Sequence, residues 1–196
     1  METRRGLIKK TIGGAALLAV AGSVPIALRK TKLREAPRGL KFFTAAEYSI
    51  WAAMAERVVA HDPTPATEDD ATHTGFMKRP PAPAAAQVDV AGKADAFLEP
   101  LPESDRKDLK QLLALFDNAL FSVLGGGPAK PFTQMNAVEQ DAHLRSWQTS
   151  RLAIKRTGFQ AMKRLSCAIY YGSPETFASV GYPGPPYELV KSVLRK

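Results

Sequence analysis

Ser104-Asp105-Arg106-Lys107-Asp108-Leu109-Lys110-Gln111-Leu112-Leu113-Ala114-Leu115-Phe116, continuing as Asp117-Asn118-Ala119-Leu120-Phe121-Ser122-Val123-Leu124, is the stretch that decides the fold class. Leu109, Leu112, Leu113, Phe116, Leu120 and Leu124 recur at helical spacing, and Leu115 and Phe121 broaden the stripe. The pattern predicts one long helix from Ser104, with Asp105 favourable in its first turn. Being apolar over more than half its circumference, it is expected at the centre of the domain. Gly125-Gly126-Gly127-Pro128 ends it. This glycine run has no following Lys-Ser/Thr and no strand before it, so it reads as a flexible turn and not a phosphate loop.

Upstream, Thr44-Ala45-Ala46-Glu47 is a capping box, threonine cap and glutamate three residues on, opening a helix to about Ala60. Tyr48, Trp51, Ala55 and Val58 form its stripe. Val88 to Leu98 reads as a short helix closed by Pro100. Downstream, Asn136-Ala137-Val138-Glu139 is a second capping box, for a helix carrying Leu144 and Trp147. Ser150 is expected to cap a helix from Arg151 to Tyr171, with Gly172 as its stop. Leu152, Phe159, Met162, Leu165 and Ile169 are its expected inner stripe. Arg151, Lys155, Arg156, Lys163 and Arg164 form its expected wet side, open either to solvent or to an acidic partner. Ser173-Pro174-Glu175 starts a last short helix, with proline at the first helical position, that ends at Gly181. No alternating strand pattern occurs. The chain is predicted all-α, a bundle-like domain of about five to six helices.

Residues 61 to 86 change in composition, and Pro63, Pro65, Pro80, Pro81 and Pro83 disfavour helix there. A loop of this length in a compact domain is functional or flexible. Glu68-Asp69-Asp70 within it lacks the ligand spacing of a calcium loop and reads as a solvated acidic turn.

The head of the chain is of another kind. Thr3-Arg4-Arg5-Gly6-Leu7-Ile8-Lys9 precedes the weakly apolar run Ile12 to Leu28, which is broken by Gly13, Gly14 and Gly22. Adjacent arginines, then two apolar residues and a lysine, have the layout of a twin-arginine export signal, with Arg4, Arg5, Leu7, Ile8 and Lys9 as its recognised residues. Ala19-Val20-Ala21 has the form of a cleavage site, yet the run beyond it stays apolar. Uncut, it would make a helix of roughly 25 Å, slightly short of the ~30 Å hydrocarbon core. Cleavage and retention as a short anchor are both open. Residues 1–39 are thus signal or anchor plus a basic linker, and residues 40–196 the helical domain.

The formal net charge of +8 suggests a nucleic-acid partner until it is located. Residues 1 to 39 hold nine Lys/Arg against Glu2 and Glu35, while the rest carries 18 basic and 17 acidic residues. The basicity belongs to the signal and its flank. A nearly neutral domain argues against nucleic acid. The lone Cys167 cannot form an intrachain disulfide, and there is no Cys-x-x-Cys-His and no cysteine cluster for haem or iron–sulfur ligation. His61, His73 and His143 are widely spaced and make no metal-ligand pattern. No nucleophile elbow, dinucleotide fingerprint or isolated carboxylate pair appears. An enzyme reading would rest on His143 or Cys167 lying in a cleft with a perturbed pKa. Export by a route used for folded, cofactor-loaded cargo, with no cofactor motif in the chain, is reconciled if the cofactor sits in a partner that lacks its own signal.

In its motifs the chain resembles the gluconate 2-dehydrogenase subunit 3 family, the small subunit of membrane-bound, flavin-dependent sugar and sugar-acid dehydrogenases. The resemblance rests on the twin-arginine head, on Phe42-Phe43-Thr44-Ala45-Ala46-Glu47, and on the Phe159 to Leu165 helix. The most specific part is the ending Tyr170-Tyr171-Gly172-Ser173-Pro174-Glu175 through Gly181-Tyr182-Pro183-Gly184-Pro185. The Pro/Ala-rich insertion near residues 62–86 departs from it.

The resemblance implies a non-catalytic subunit without cofactor of its own, bound to a large FAD-containing flavoprotein of the glucose–methanol–choline type. It also implies a cytochrome c subunit as onward electron acceptor in some complexes, the twin-arginine translocon as export partner, and a periplasmic place at the inner-membrane surface. Tyr170, Tyr171, Tyr182, Pro183, Gly184, Pro185 and Tyr187 are the expected partner interface, since rigid aromatics bury area at low entropy cost. Packing of Tyr182 back onto its own domain is the other reading. A membrane-tethered helical binding module without a redox partner is the alternative function.

Overall fold

The structure is a computed structural model, described here for residues 30–59 and 80–184. Seven α-helices follow in chain order: α1 (Ala45–Val58), α2 (Val90–Leu98), α3 (Glu103–Phe116), α4 (Ala119–Leu124), α5 (Ala137–Gln148), α6 (Ala153–Tyr171) and α7 (Pro174–Val180). A 3₁₀ turn, Phe132–Gln134, precedes α5. There is no strand among the described residues, and the fold is all-α. The twin-arginine residues, Arg4, Arg5, Leu7, Ile8 and Lys9, lie outside the described residues, as do His61, His73, Glu68–Asp70, Pro185 and Tyr187.

Both capping boxes form. The Glu47 amide donates to Thr44 Oγ1 at 3.3 Å while the Thr44 amide donates to Glu47 Oε2 at 2.8 Å. Asn136 and Glu139 repeat the arrangement at α5. Each satisfies two orphan amides, which is why these two helices begin where the sequence expects. Pro174 opens α7, and Gly181, with φ 69°, closes it in the left-handed region that glycine enters freely.

The long helix expected from Ser104 to Leu124 is two helices. Asp117 and Asn118 break it. Asn118 accepts from the Phe121 amide at 3.1 Å and becomes the cap of α4. The Asp117 carboxylate accepts from the Thr133 amide at 2.8 Å and from the Thr31 hydroxyl at 2.6 Å. Bonds from distant segments hold Asp117 off the helical path.

Nor is this stretch the centre. Only Leu113 and Phe116 of α3 are buried, while α1 buries seven of its 14 residues and packs against α2, α3, α5, α6 and the 3₁₀ turn. Alanines at 53 and 55 let neighbouring helices close on α1, and Trp51 and Met54 fill the space between them. The helix α3 crosses α6 at Gly158, where a Cβ would come within 2.5 Å of Leu112 Cδ1.

Residues 30–39, expected as a linker, lie against the domain as a strap. Lys32 N–H donates to Thr133 Oγ1 at 3.0 Å, Arg34 N–H donates to Ser49 Oγ at 2.8 Å, and the Arg34 guanidinium pairs with Glu56 at 2.6 Å. Ala36 and Leu40 pack on the core. Where the strap turns into α1, buried Asp95 of α2 accepts from the amides of Lys41, Phe42 and Phe43.

The last long helix starts at Ala153, two residues later than expected, with Ser150 Oγ accepting from the Leu152 amide. Its inner face carries Phe159 and Met162, with Leu165 and Ile169 partly buried, but Leu152 is exposed. Lys155, expected on the wet side, is only 6% exposed. It faces the aromatic side of the core because α4 folds back over it, a consequence of the break at Asp117.

Candidate partner-binding edge

Tyr170 and Tyr171, adjacent on α6, point to opposite environments, because neighbouring helical positions are about 100° apart. Tyr170 is buried and its hydroxyl donates to the Pro83 carbonyl at 2.5 Å. It pins the end of the Pro-rich segment and offers nothing to a partner. Tyr171 is 53% exposed, with its ring edge-on to that of Tyr170 at 5.1 Å. Tyr182 is 44% exposed and packs edge-on against Phe177 of α7 at 4.9 Å. Both readings of Tyr182 therefore hold at once, one side of the ring seated on its own domain and the other open.

Pro183 is exposed and Gly184, with φ 96°, runs past the Phe177 ring. Lys93 ties α2 to this end, donating to Ser173 Oγ at 2.9 Å and to Glu175 Oε1 at 3.1 Å. The result is an aromatic edge with Phe97 of α2 exposed on the tied helix. The Tyr171 and Tyr182 rings are braced by intramolecular contacts, so little of their rotamer entropy remains to be lost on binding.

The titratable groups singled out in the sequence are placed elsewhere. His143 is buried among Phe116, Phe132 and Trp147, with ring centroids 5.0, 5.4 and 6.0 Å away. Its pKa is lowered to about 4, chiefly by burial and secondly by the Lys155 ammonium, with hydrogen bonding to the Phe116 backbone working the other way. It is a neutral core imidazole at pH 7.

Lys155 Nζ sits 4.3 Å from the Phe121 ring centroid and 5.6 Å from that of Trp147, and burial pushes its pKa down. No ion pair reaches it among the described residues. Cys167 is partly buried, and burial raises its thiol pKa, so the thiolate is disfavoured. Among the described residues no group of three or more His, Cys, Asp or Glu is arranged to hold a metal ion.

Two shallow cavities of about 200 and 240 Å³ flank the strap, meeting at Pro37, Tyr48 and Asp89. Neither is lined by His143 or Cys167. Asp89 adopts φ 53° and caps α2 by accepting from the Gly92 amide at 3.1 Å, which accounts for its geometry.

Sequence reasoning missed Asp95 and Asp117, whose carboxylates bond segments far away in the chain, and the burial of Lys155. Lys155 lies four residues before Phe159 and seven before Met162, on the inner stripe's own spacing, so position marked it as inward-facing and only its charge argued for the wet side. Comparison of the chain with family models, with characterised proteins and with solved structures returned no match.

Proposed function

We propose that this chain is the non-catalytic small subunit of an exported, membrane-associated FAD-dependent dehydrogenase of the glucose–methanol–choline type. The observation that carries the reading is the braced, half-exposed aromatic edge of Tyr171 and Tyr182, on a domain whose strongly perturbed histidine is sealed in the core. A rigid aromatic edge suits protein recognition. Export motif and the likeness to the gluconate 2-dehydrogenase small subunit supply the partner's class. On this reading the flavoprotein brings FAD and the catalytic groups. The small subunit supports its folding and stability and carries it through the twin-arginine route to the periplasmic face of the inner membrane. A cytochrome c subunit would take the electrons onward.

Co-purification tests the proposal. A tag after Lys196, gentle isolation, a visible spectrum and mass analysis of the co-eluting chains should show flavin and a stoichiometric large subunit. Arg4→Lys with Arg5→Lys should then strand both chains in the cytoplasm. A colourless protein without a partner would overturn the reading and favour a membrane-tethered binding module.

A further inference from the structure

The end of the domain where the chain enters carries a second, different surface. Lys30 is held there by Gln134 Nε2, which donates to its carbonyl at 2.6 Å, and Thr31 is held by Asp117. Five of the seven large apolar side chains that are more than half exposed, Leu33, Leu124, Val138, Leu152 and Ile154, lie on the strap, on the start of α5, on α4 beyond Asp117 and on the start of α6 that packs on α4. Leu33 is in the strap itself, three residues from Lys30. Val138 lies four residues after Gln134, at 79% exposure, and Leu124 ends the short helix that starts beside Asp117, at 76%. Lys155 joins α4 to the start of α6, because its ammonium lies over Phe121 and against Gly125. Leu152 and Ile154 flank that contact.

The charge there is mostly positive. Between Asp141 and Glu175 the sequence has Arg145, Arg151, Lys155, Arg156, Lys163 and Arg164 and no acidic residue. Lys30, Lys32, Arg151 and Arg156 are exposed and in no ion pair among the described residues. Most of the nearby carboxylates are engaged, Asp117 with Thr31 and Thr133, Glu139 with Lys130 and Asp141 with Arg57, and Glu35 of the strap is the exposed exception.

We infer that this end of the domain rests on the surface of an anionic lipid bilayer, its exposed leucines and isoleucine reaching into the headgroup layer and its cations facing lipid phosphates. The occupant follows from covalent reach. The apolar run ends at Leu28, and Lys30 is two residues on, at most ~7 Å along an extended chain. With Ile12–Leu28 seated in the hydrocarbon, the Lys30 end has nowhere to lie except against the headgroups. Scattered apolar tips among unpaired cations are the chemistry of interfacial binding, and each Lys or Arg near an anionic surface strengthens it roughly fivefold. The aromatic edge of Tyr171 and Tyr182 belongs to the other end of α6, and is left free for a protein partner. The inference rests on the reading of Ile12–Leu28 as a retained membrane segment.

The test uses the full chain with Cys167→Ser, reconstituted in vesicles of equal phosphatidylethanolamine and phosphatidylglycerol. A fluorophore is attached at Leu124→Cys or Leu152→Cys, with Phe97→Cys as the control at the other end. A lipid carrying a headgroup nitroxide should quench the first two labels and spare the third. Arg151→Glu with Arg156→Glu, both exposed, should lower that quenching, as should replacing the lipids by phosphatidylcholine. Labels unquenched in a chain that floats with the vesicles would overturn the inference alone. A chain that does not float would overturn the membrane reading of Ile12–Leu28 and the inference with it. Shielding of Leu124 and Leu152 labels only after a flavoprotein is added would assign this surface to a protein contact and overturn the lipid one.

Discussion

Asp95 Oδ1 accepts the Phe43 amide at 2.6 Å across 52 residues of sequence, and the same carboxylate takes the amides of Phe42 and Lys41. A single buried side chain of α2 thus fixes the angle at which the strap turns into the central helix. Asp95→Ala leaves these amides without an acceptor and should destabilise the domain by ~4 kcal/mol. Asp95→Asn retains one acceptor oxygen and should lose about half as much. Urea denaturation followed by far-UV circular dichroism measures both. Native-like midpoints would show that the carboxylate does not hold the turn.

Acid should act through His143. Its folded pKa is about 4, below the ordinary value of 6.5, so its contribution is present above pH 6.5 and is lost as pH falls towards 4. The shift corresponds to about 3 kcal/mol at most. Asp117 works in the opposite sense, since burial raises its carboxyl pKa and the folded state takes up its proton more readily. The difference between the parent and His143→Leu isolates the histidine: the parent should lose stability across pH 6.5 to 4 relative to the variant. Parallel curves would contradict the assignment.

Lys155→Met should stabilise the domain. The side chain is mostly buried, its ammonium has no carboxylate partner among the described residues, and the loss of its attraction to the Phe121 and Trp147 rings is offset by removing the desolvation that lowers its pKa. The expected gain is about 1 kcal/mol, or ~2–4 °C in Tm for a domain of this size. Calorimetry reads it directly, and a lowered Tm would mean that the cation–aromatic contacts dominate.

Tyr170→Phe removes only the hydroxyl that holds the Pro83 carbonyl. Stability should fall by about 1 kcal/mol. Limited proteolysis should cut sooner near residues 80–86, whereas Tyr171→Phe should leave both unchanged.

Tyr171→Ala with Tyr182→Ala should weaken recovery of the proposed flavoprotein in pull-downs while leaving the unfolding free energy within about 1 kcal/mol of the parent, as exposed positions do. Full recovery of the partner would move the interface away from this edge.

Much of the architecture is written locally. The caps at Thr44 and Asn136, the proline start at Pro174 and the left-handed stop at Gly181 depend on residues within one turn of each other, so spacing alone locates them. Tyr170, Tyr171 and Tyr182 could be named from sequence as expected interface aromatics, but separating Tyr171 from Tyr170 needed the helix's rotation about its axis, which packing against α1, α2 and α5 decides. Periodicity marked Ser104 to Leu124 as one apolar stripe because it counts side chains and is blind to what the backbone of Asp117 is asked to do.

What the sequence by itself determined is the all-α class, the helix starts that carry their own caps, and the separation of a basic head from a nearly neutral domain. What only the tertiary structure decided is the break at Asp117, the centrality of α1, the attachment of the strap and the burial of Lys155. The reason is the range of the interactions. A cap is satisfied three residues away, while Asp117 answers to Thr133 and Thr31, 16 and 86 residues distant. Such partners come within hydrogen-bonding reach only once the helices have packed.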